Sequence, residues 1–323
     1  MQGKNRLKFG VFAPSGTFLC ADGTLDLARL DRSIALLRAS GSVTRFSVRS
    51  VRTRFAGSDK ERQEAFACAL KSSVDALIAL RGGFGAQMLL SVLAQSHGQY
   101  PAICGFSDVT VLINASWVWH DRVGYLSPMV GDWGRANMQD YCTRFCRTIA
   151  LAKMGKPWVR NESVQTIYYQ GKKQDFVDFD REEKGRLWGG NLTMLTTLMG
   201  TNASPVARLS QEDNILLIEE VGESAYRIER MIRHLAQAHA LQRTKVVFFG
   251  DCGQTDRYAA LQGGYTLDRA LMRLSKRYPR IYWCTGLAMG HARQRGTYPV
   301  GQRVRMTLTQ RSVTMRAIGR TTC

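Results

Sequence analysis

The 323-residue chain predicts an α/β protein, with a mostly parallel N-terminal sheet flanked by helices and a second α/β domain at the C-terminal end. Three observations predict it. Short apolar runs that read as buried strands alternate with segments carrying apolar residues at helical spacing, the pattern of repeated β–α units. Several of those runs end in glycine-rich turns, and a parallel sheet binds ligands at the C-terminal ends of its strands. Near Lys153 the character turns polar, which marks a crossover. The expected domains are therefore 1–152, and a linker with the C-terminal domain over 153–323.

The elements follow in order. Leu7 to Phe12 is a strand ending in the turn Ala13-Pro14-Ser15-Gly16. Leu25 to Ala39 is helical, with Leu30, Ile34 and Leu37 on one face. Val43 to Val48 reads as a strand and Asp59 to Lys71 as a helix. Ala76 to Leu80 is a buried strand that runs into Arg81-Gly82-Gly83-Phe84-Gly85, and a helix follows. Ala102-Ile103-Cys104 is a short strand, Gly105-Phe106-Ser107 a tight turn, and Asp108 to Trp119 a helix. Past the crossover, Val164 to Tyr169 is strand-like. Leu187-Trp188-Gly189-Gly190-Asn191 is expected to open a helix reaching Met199. Asn214 to Glu219 and Lys245 to Gly250 are buried strands, and Ala225 to Gln237 is an amphipathic helix. Tyr265 to Ser275 is helical, and Arg280 to Thr285 is a strand leading to Gly290-His291. Gln302 to Ala317 alternates and reads as a β-hairpin.

Composition narrows the function. Hydrophobic residues make up 45% of the chain, enough for a substantial core. No apolar run approaches the roughly 18 residues of a membrane helix, so no membrane partner is expected. The apolar stretch at the N-terminus is too short for a secretory signal. The eight cysteines include no Cys-x-x-Cys pair and mostly lie in apolar segments. This predicts reduced thiols in a cytoplasmic protein, with Cys142 and Cys146 as packing residues and no metal site. The net charge of +19 predicts attraction of anions. Arg45, Arg49, Arg52 and Arg54 form one loose basic cluster, and Arg293, Arg295, Arg303, Arg305 and Arg311 another. Neither aromatic-basic alternation nor zinc-finger spacing accompanies them, so a dedicated nucleic-acid site is not expected.

Ser107 lies on a sharp strand-to-helix turn, where a hydroxyl is presented at the sheet edge above a helix N-terminus. A nucleophilic serine needs that setting. The local pattern is Gly-x-Ser-Asp, and the segment alone favours a helix cap, the commoner use of serine before an apolar helix. Glu219 ends a buried strand and so falls on the ligand side, unless it is a solvated acid or pairs with Arg227 or Arg230. Glu220 points the other way if the strand continues. His291 follows a strand and the turn Gly286 to Gly290. His97 sits in a polar loop, and His120, His234 and His239 belong to helices. A serine, a base and an orienting carboxylate, each at a strand end, make a complete nucleophilic set if the two domains face each other.

Blocks in order along the chain, from residue 8 to about 305, resemble the LD-carboxypeptidase family of serine peptidases, which also contains the microcin C immunity peptidases. They are Ala13-Pro14-Ser15-Gly16, Arg81-Gly82-Gly83-Phe84-Gly85, Gly105-Phe106-Ser107-Asp108-Val109-Thr110, and Gly189-Gly190-Asn191-Leu192. Ile218-Glu219-Glu220-Val221-Gly222-Glu223 with Tyr226-Arg227-Ile228-Glu229-Arg230 comes next, and Gly290-His291 with Pro299-Val300-Gly301 closes the set. Phe84 and Phe106 stand where tyrosine is common, and Glu220 where aspartate is common.

The resemblance implies that Ser107 is the nucleophile, His291 the general base and Glu219 its orienting carboxylate. It implies an oxyanion hole from the backbone N–H groups of Asp108 and Gly83. It implies a homodimer with no metal and no organic cofactor. The implied reaction releases terminal D-alanine from an L,D-linked muropeptide tetrapeptide in peptidoglycan recycling. Arg81 is a candidate partner for the D-alanine carboxylate or, equally, a member of a structural ion pair, and Ser15 and Asn191 are further substrate-binding candidates. Two other readings stand beside it. One is an immunity-type peptidase acting on an aminoacyl nucleotide, with Trp188 as a candidate stacking residue, although a Trp before a glycine pair is more often a packing residue. The other is a non-catalytic polyanion-binding protein, against which a complete triad argues.

Overall fold

Strands buried on both faces must be covered on both sides, and this shapes the N-terminal half of the computed structural model. The structure describes residues 6–18, 26–46, 56–97, 99–135, 138–174, 180–252, 255–259, 263–291, 295–309 and 311–319. The expectations at Cys20, Leu25, Val48, Arg49, Arg52, Arg54, Arg293 and Cys323 lie outside the described residues.

The N-terminal elements are β1 (Leu7–Phe12), α1 (Leu27–Ser40), β2 (Gly41–Phe46), α2 (Asp59–Leu70), β3 (Ala76–Ala79), α3 (Leu90–Ala94), β4 (Ala102–Gly105), α4 (Thr110–His120), β5 (Gly124–Leu126) and α5 (Gln139–Lys153). Every residue of β3 and β4 is buried, whereas the edge strand β2 is largely exposed. The strands from β2 through β1, β3 and β4 to β5 pair in parallel. That parallel order brings the ends of β1, β3 and β4, with the turns that follow them, to one edge. Helix starts are well specified. Asp26 caps α1 by accepting from the Arg29 N–H at 2.9 Å, and Ser58 with Glu61 forms a capping box on α2. The sequence reading assigns no element to Gln139–Lys153. It is helix α5, which buries Cys142, Phe145, Ile149 and Ala152 at helical spacing against Phe9 and Trp133.

The C-terminal elements are β6 (Val159–Ser163), β7 (Thr166–Tyr169), β8 (Lys172–Lys173), β9 (Asp180–Asn191), α6 (Leu192–Leu198), α7 (Val206–Leu209), β10 (Asn214–Glu219), α8 (Ala225–Gln237), β11 (Thr244–Phe249), α9 (Leu267–Arg277), β12 (Tyr282–Thr285), β13 (Tyr298–Val300), β14 (Arg303–Thr309) and β15 (Ser312–Ala317). A nine-stranded sheet runs β6-β15-β14-β9-β10-β11-β12-β7-β8, parallel from β9 to β12 and antiparallel on both flanks. The strand β13 returns to the first sheet, beside β5. The chain divides into two compact units. One runs to Lys156 and includes the return segment ending at Pro299, and the other begins at Pro157. The predicted α/β class, with a mostly parallel first sheet and a second α/β domain, is the observed one.

One element differs. Leu187 to Asn191 does not open a helix; it is the end of the long strand β9, and the helix begins at Leu192. The glycines are there for backbone contact, since a Cβ on Gly189 would lie 1.9 Å from the carbonyl oxygen of Leu217 on β10. No helix among the described residues is long and apolar enough to cross a membrane. None of these described cysteines is in a disulfide: Cys104, Cys142, Cys252 and Cys284 are buried, Cys146 is half-buried and Cys68 exposed.

Candidate active site

After β4 the backbone reverses within one residue. Ser107 has φ 61°, a left-handed conformation that costs a non-glycine residue roughly 1–2 kcal/mol. It opens a short 3₁₀ turn, Ser107–Val109, that leads into α4. A capping serine would sit in the extended region at the N-cap. Here Phe106 holds that place, and no side chain caps the turn or α4. The helix-cap reading of Ser107 is therefore set aside. Its hydroxyl is half-buried at the sheet edge, next to the Arg81–Gly85 loop. A Cβ on Gly82 would fall 2.8 Å from Ser107 Cβ and 2.9 Å from its Oγ, so glycine is what lets this loop lie against the serine. The loop is tied to the first turn by the Gly16 N–H, which donates to the Gly82 carbonyl at 3.1 Å. Gly83, the expected oxyanion donor, follows with φ 134°. Arg81 is exposed and donates from Nη1 to the Thr17 carbonyl at 2.9 Å.

Two expected substrate contacts prove to be internal. Ser15 is fully buried, and its hydroxyl donates to Asp108 Oδ2 at 2.6 Å. Asn191 is buried as well. Its Oδ1 caps α6 by accepting from the Met194 N–H at 3.1 Å, and its Nδ2 donates to Glu220 Oε1 at 3.1 Å. Both side chains hold loops together instead of facing a substrate. Glu220 anchors the same corner, accepting also from the N–H groups of Val221 and Thr193 and from the Thr193 hydroxyl. Burial raises its pKa, and these hydrogen bonds oppose the rise. Trp188 is likewise core. It is fully buried, and its indole N–H donates to Asn214 Oδ1 at 2.9 Å, so it offers no stacking face.

Glu219 and His291 come together within the second unit. The parallel strands β10 and β12 end at the same edge, and the chain after β12 turns back over the end of β10. Glu219 is fully buried, and its Oε2 accepts from His291 Nδ1 at 2.6 Å and from the His291 backbone N–H at 3.3 Å. Neither alternative partner is used: Arg227 pairs with Glu223, and Arg230 lies over the Tyr226 ring. An ionised carboxylate can only accept, so Nδ1 carries the proton and Nε2 is left as the basic nitrogen. Among the other histidines, His120 is bonded to the Leu93 carbonyl and His239 to Gln242.

Gly290 makes the crossing possible. It has φ 71°, and a Cβ there would fall 2.2 Å from Glu219 Cγ. Gly290→Ala is therefore expected to lose about 2–5 kcal/mol, combining left-handed strain with overpacking against a buried side chain. Gly200→Ala, at φ 80° with nothing within 4 Å of the new methyl, should lose only the strain. Urea unfolding of the pair checks this, and equal midpoints would refute it.

Three features escape the sequence reading: Gly82 against Ser107, the need for glycine at 290, and the buried carboxylate of Asp108. Glycines beside the candidate residues are the available signal for the first two. Among the described residues no group of three or more histidines, cysteines, aspartates and glutamates could hold a metal ion.

Comparison with known proteins agrees with this architecture. The models of the LD-carboxypeptidase N-terminal and C-terminal domains match residues 10–125 and 184–306. A putative carboxypeptidase of Rickettsia conorii is 26% identical over 211 residues, a match spanning 62% of this chain and 60% of that protein. The murein tetrapeptide carboxypeptidase of Pseudomonas aeruginosa is 28% identical over 186 residues, 55% of this chain and 57% of its own length. Among solved structures, the muramoyltetrapeptide carboxypeptidase from Oxalobacter formigenes aligns with a TM-score of 0.77 at 27% identity, over 95% of this chain and 98% of that one. The microcin C7 self immunity protein MccF shares the fold, with a TM-score of 0.73 at 16% identity over 97% of this chain and 96% of its own. With both family domains matched in order and the strand-end motifs in place, the chain belongs to the LD-carboxypeptidase family.

Proposed function

We propose that this protein is a serine LD-carboxypeptidase that releases the terminal D-alanine of an L,D-linked muropeptide tetrapeptide. The observation that supports this best is the buried Glu219 carboxylate, 2.6 Å from Nδ1 of His291, which prepares a general base at a strand end. The uncapped, left-handed Ser107 supplies the matching nucleophile.

The reaction requires Ser107 Oγ and His291 Nε2 to meet at the scissile carbonyl. Nε2 takes the hydroxyl proton as Oγ attacks the carbonyl carbon. The backbone N–H groups of Asp108 and Gly83 stabilise the oxyanion. The intermediate collapses, His291 protonates the departing amine of D-alanine, and an ester of Ser107 remains. A water deprotonated by His291 then hydrolyses the ester and restores the serine. Throughout, Glu219 stabilises the imidazolium. Arg81 pairs with the D-alanine carboxylate, and the net charge of +19 draws the anionic substrate in. On this reading the enzyme is a cytoplasmic homodimer that serves peptidoglycan recycling and needs no metal. An immunity-type activity is less well supported, since Trp188, a candidate for its stacking residue, lies in the core.

The test is incubation with an L,D-linked tetrapeptide, and with a D,D-linked counterpart as control, followed by mass spectrometry. Loss of one alanine from the first substrate alone, undiminished by a chelator, is the expected result. No release from either substrate would refute the carboxypeptidase assignment.

A further inference from the structure

Asp108 follows the nucleophile directly, and its two ends face different tasks. Its N–H is at the turn that presents Ser107. Its side chain runs the other way, into the protein, where it is only 4% exposed. There Oδ2 accepts from the Ser15 hydroxyl at 2.6 Å and from the Ala86 N–H at 2.8 Å. The three turns that end β1, β3 and β4 are thereby joined at one carboxylate. Arg62 closes the arrangement from below. It is buried, donates from Nη1 to the Gly57 carbonyl at 2.7 Å and from Nη2 to Asp59, and packs under Gly85. A Cβ on Gly85 would fall 2.9 Å from Arg62 Nη2 and 3.0 Å from the Pro14 carbonyl oxygen. Burial raises the Asp108 pKa, while Ser15, the backbone donors and Arg62 pull it back down.

We infer that the Asp108 carboxylate is a positioning residue for the oxyanion hole, fixing the glycine loop that carries one N–H donor against the elbow that carries the other. The inference rests on the reading of Ser107 as nucleophile. Its physical basis is tolerance. Oxyanion donors act only when held about 2.7–3.1 Å from the developing charge. A displacement of about 1 Å costs on the order of a hundredfold in rate. A glycine loop has little intrinsic rigidity. A buried acceptor on the third turn, taking hydrogen bonds from the other two, supplies it. Ser15 completes the acceptor's shell, which explains a fully buried serine at the sheet edge.

The test compares Ser15→Ala, Asp108→Asn and Asp108→Ala in the full chain. Each is assayed for alanine release from the L,D-linked tetrapeptide and for inhibition by a peptidyl boronate, which forms a tetrahedral anion on the nucleophilic serine. Ser15→Ala should lower kcat by about tenfold to a hundredfold with KM changed by less than about twofold. Asp108→Ala should lower kcat by about 10²–10³, the range for losing one oxyanion donor. Asp108→Asn should fall between wild type and Asp108→Ala, because its amide oxygen still accepts from Ala86. In each variant the boronate should weaken in proportion to kcat, which a purely structural carboxylate would not produce. Should Asp108→Ala fail to fold, Ser15→Ala, which removes a single hydroxyl, carries the comparison. The inference is overturned if the variants lose stability to urea but keep kcat, or if kcat falls while boronate affinity does not. Ser107→Ala run alongside separates the two ideas. An active Ser107→Ala sinks the nucleophile reading, whereas an inactive Ser107→Ala beside fully active Ser15→Ala and Asp108→Asn sinks only this one.

Discussion

Ser107→Ala is expected to lower kcat for alanine release by about four to six orders of magnitude, the range seen when a serine nucleophile is removed. The fold should not notice. The substitution deletes one half-buried hydroxyl that caps nothing, so stability should change by less than about 0.5 kcal/mol. Ser107→Gly sharpens the point. It relieves a left-handed φ of 61° worth roughly 1–2 kcal/mol, against about 0.5–1 kcal/mol of added backbone entropy. That variant should be inactive yet at least as stable as wild type in urea. A Ser107→Ala protein that keeps more than a tenth of wild-type kcat would rule out covalent catalysis at this position.

The parts of the fold and site that are legible in the sequence are those set by local rules. β3 and β4 are short apolar runs bounded by glycine or polar turns, and their burial on both faces follows directly. Glu219 and His291 are legible as strand-end residues, because a carboxylate that closes a mostly apolar strand falls at the edge where a parallel sheet binds its ligands. The failures share a cause in long-range contact. Ser15 and Asn191 look like ligand-facing polar residues, but their partners are Asp108 and Glu220, far away in the chain. No local pattern announces a buried acceptor.

Strand β9 departs from its expected helix for a related reason. Its first half, Asp180 to Arg186, is charged because it pairs with β14 on a sheet with a solvated face. Its second half carries Gly189 and Gly190, which are poor strand formers. What makes them strand is the approach of β10, whose Leu217 carbonyl lies where a side chain would be. Pairing with β10 overrides propensity, and pairing is not written in the segment itself.

Glu219→Gln should be nearly as damaging to activity as loss of the serine, and for a different physical reason. The carboxylate accepts from Nδ1 and so places the proton there, leaving Nε2 basic. Glutamine is the same size, and the His291 backbone N–H can still donate to its amide oxygen. But the amide is neutral, so an imidazolium beside it loses its counter-charge in a fully buried position. The amide can also present N–H to Nδ1 and move the ring proton to Nε2, the nitrogen that accepts from Ser107 in the proposed reaction. Together these should lower kcat by about 10⁴, with KM little changed. Stability should move by less than about 2 kcal/mol. A buried charge is removed, and the glutamine NH₂ can take the place of Oε1, which has no hydrogen-bond partner among the described residues. The tautomer gives a readout independent of turnover. In ¹⁵N–¹H spectra, assigned by comparison with His291→Gln, the wild-type ring should carry its proton on Nδ1 and the Glu219→Gln ring should shift toward Nε2. Wild-type activity in the variant would remove Glu219 from the mechanism. An unchanged tautomer with lost activity would leave charge stabilisation of the imidazolium as its one role.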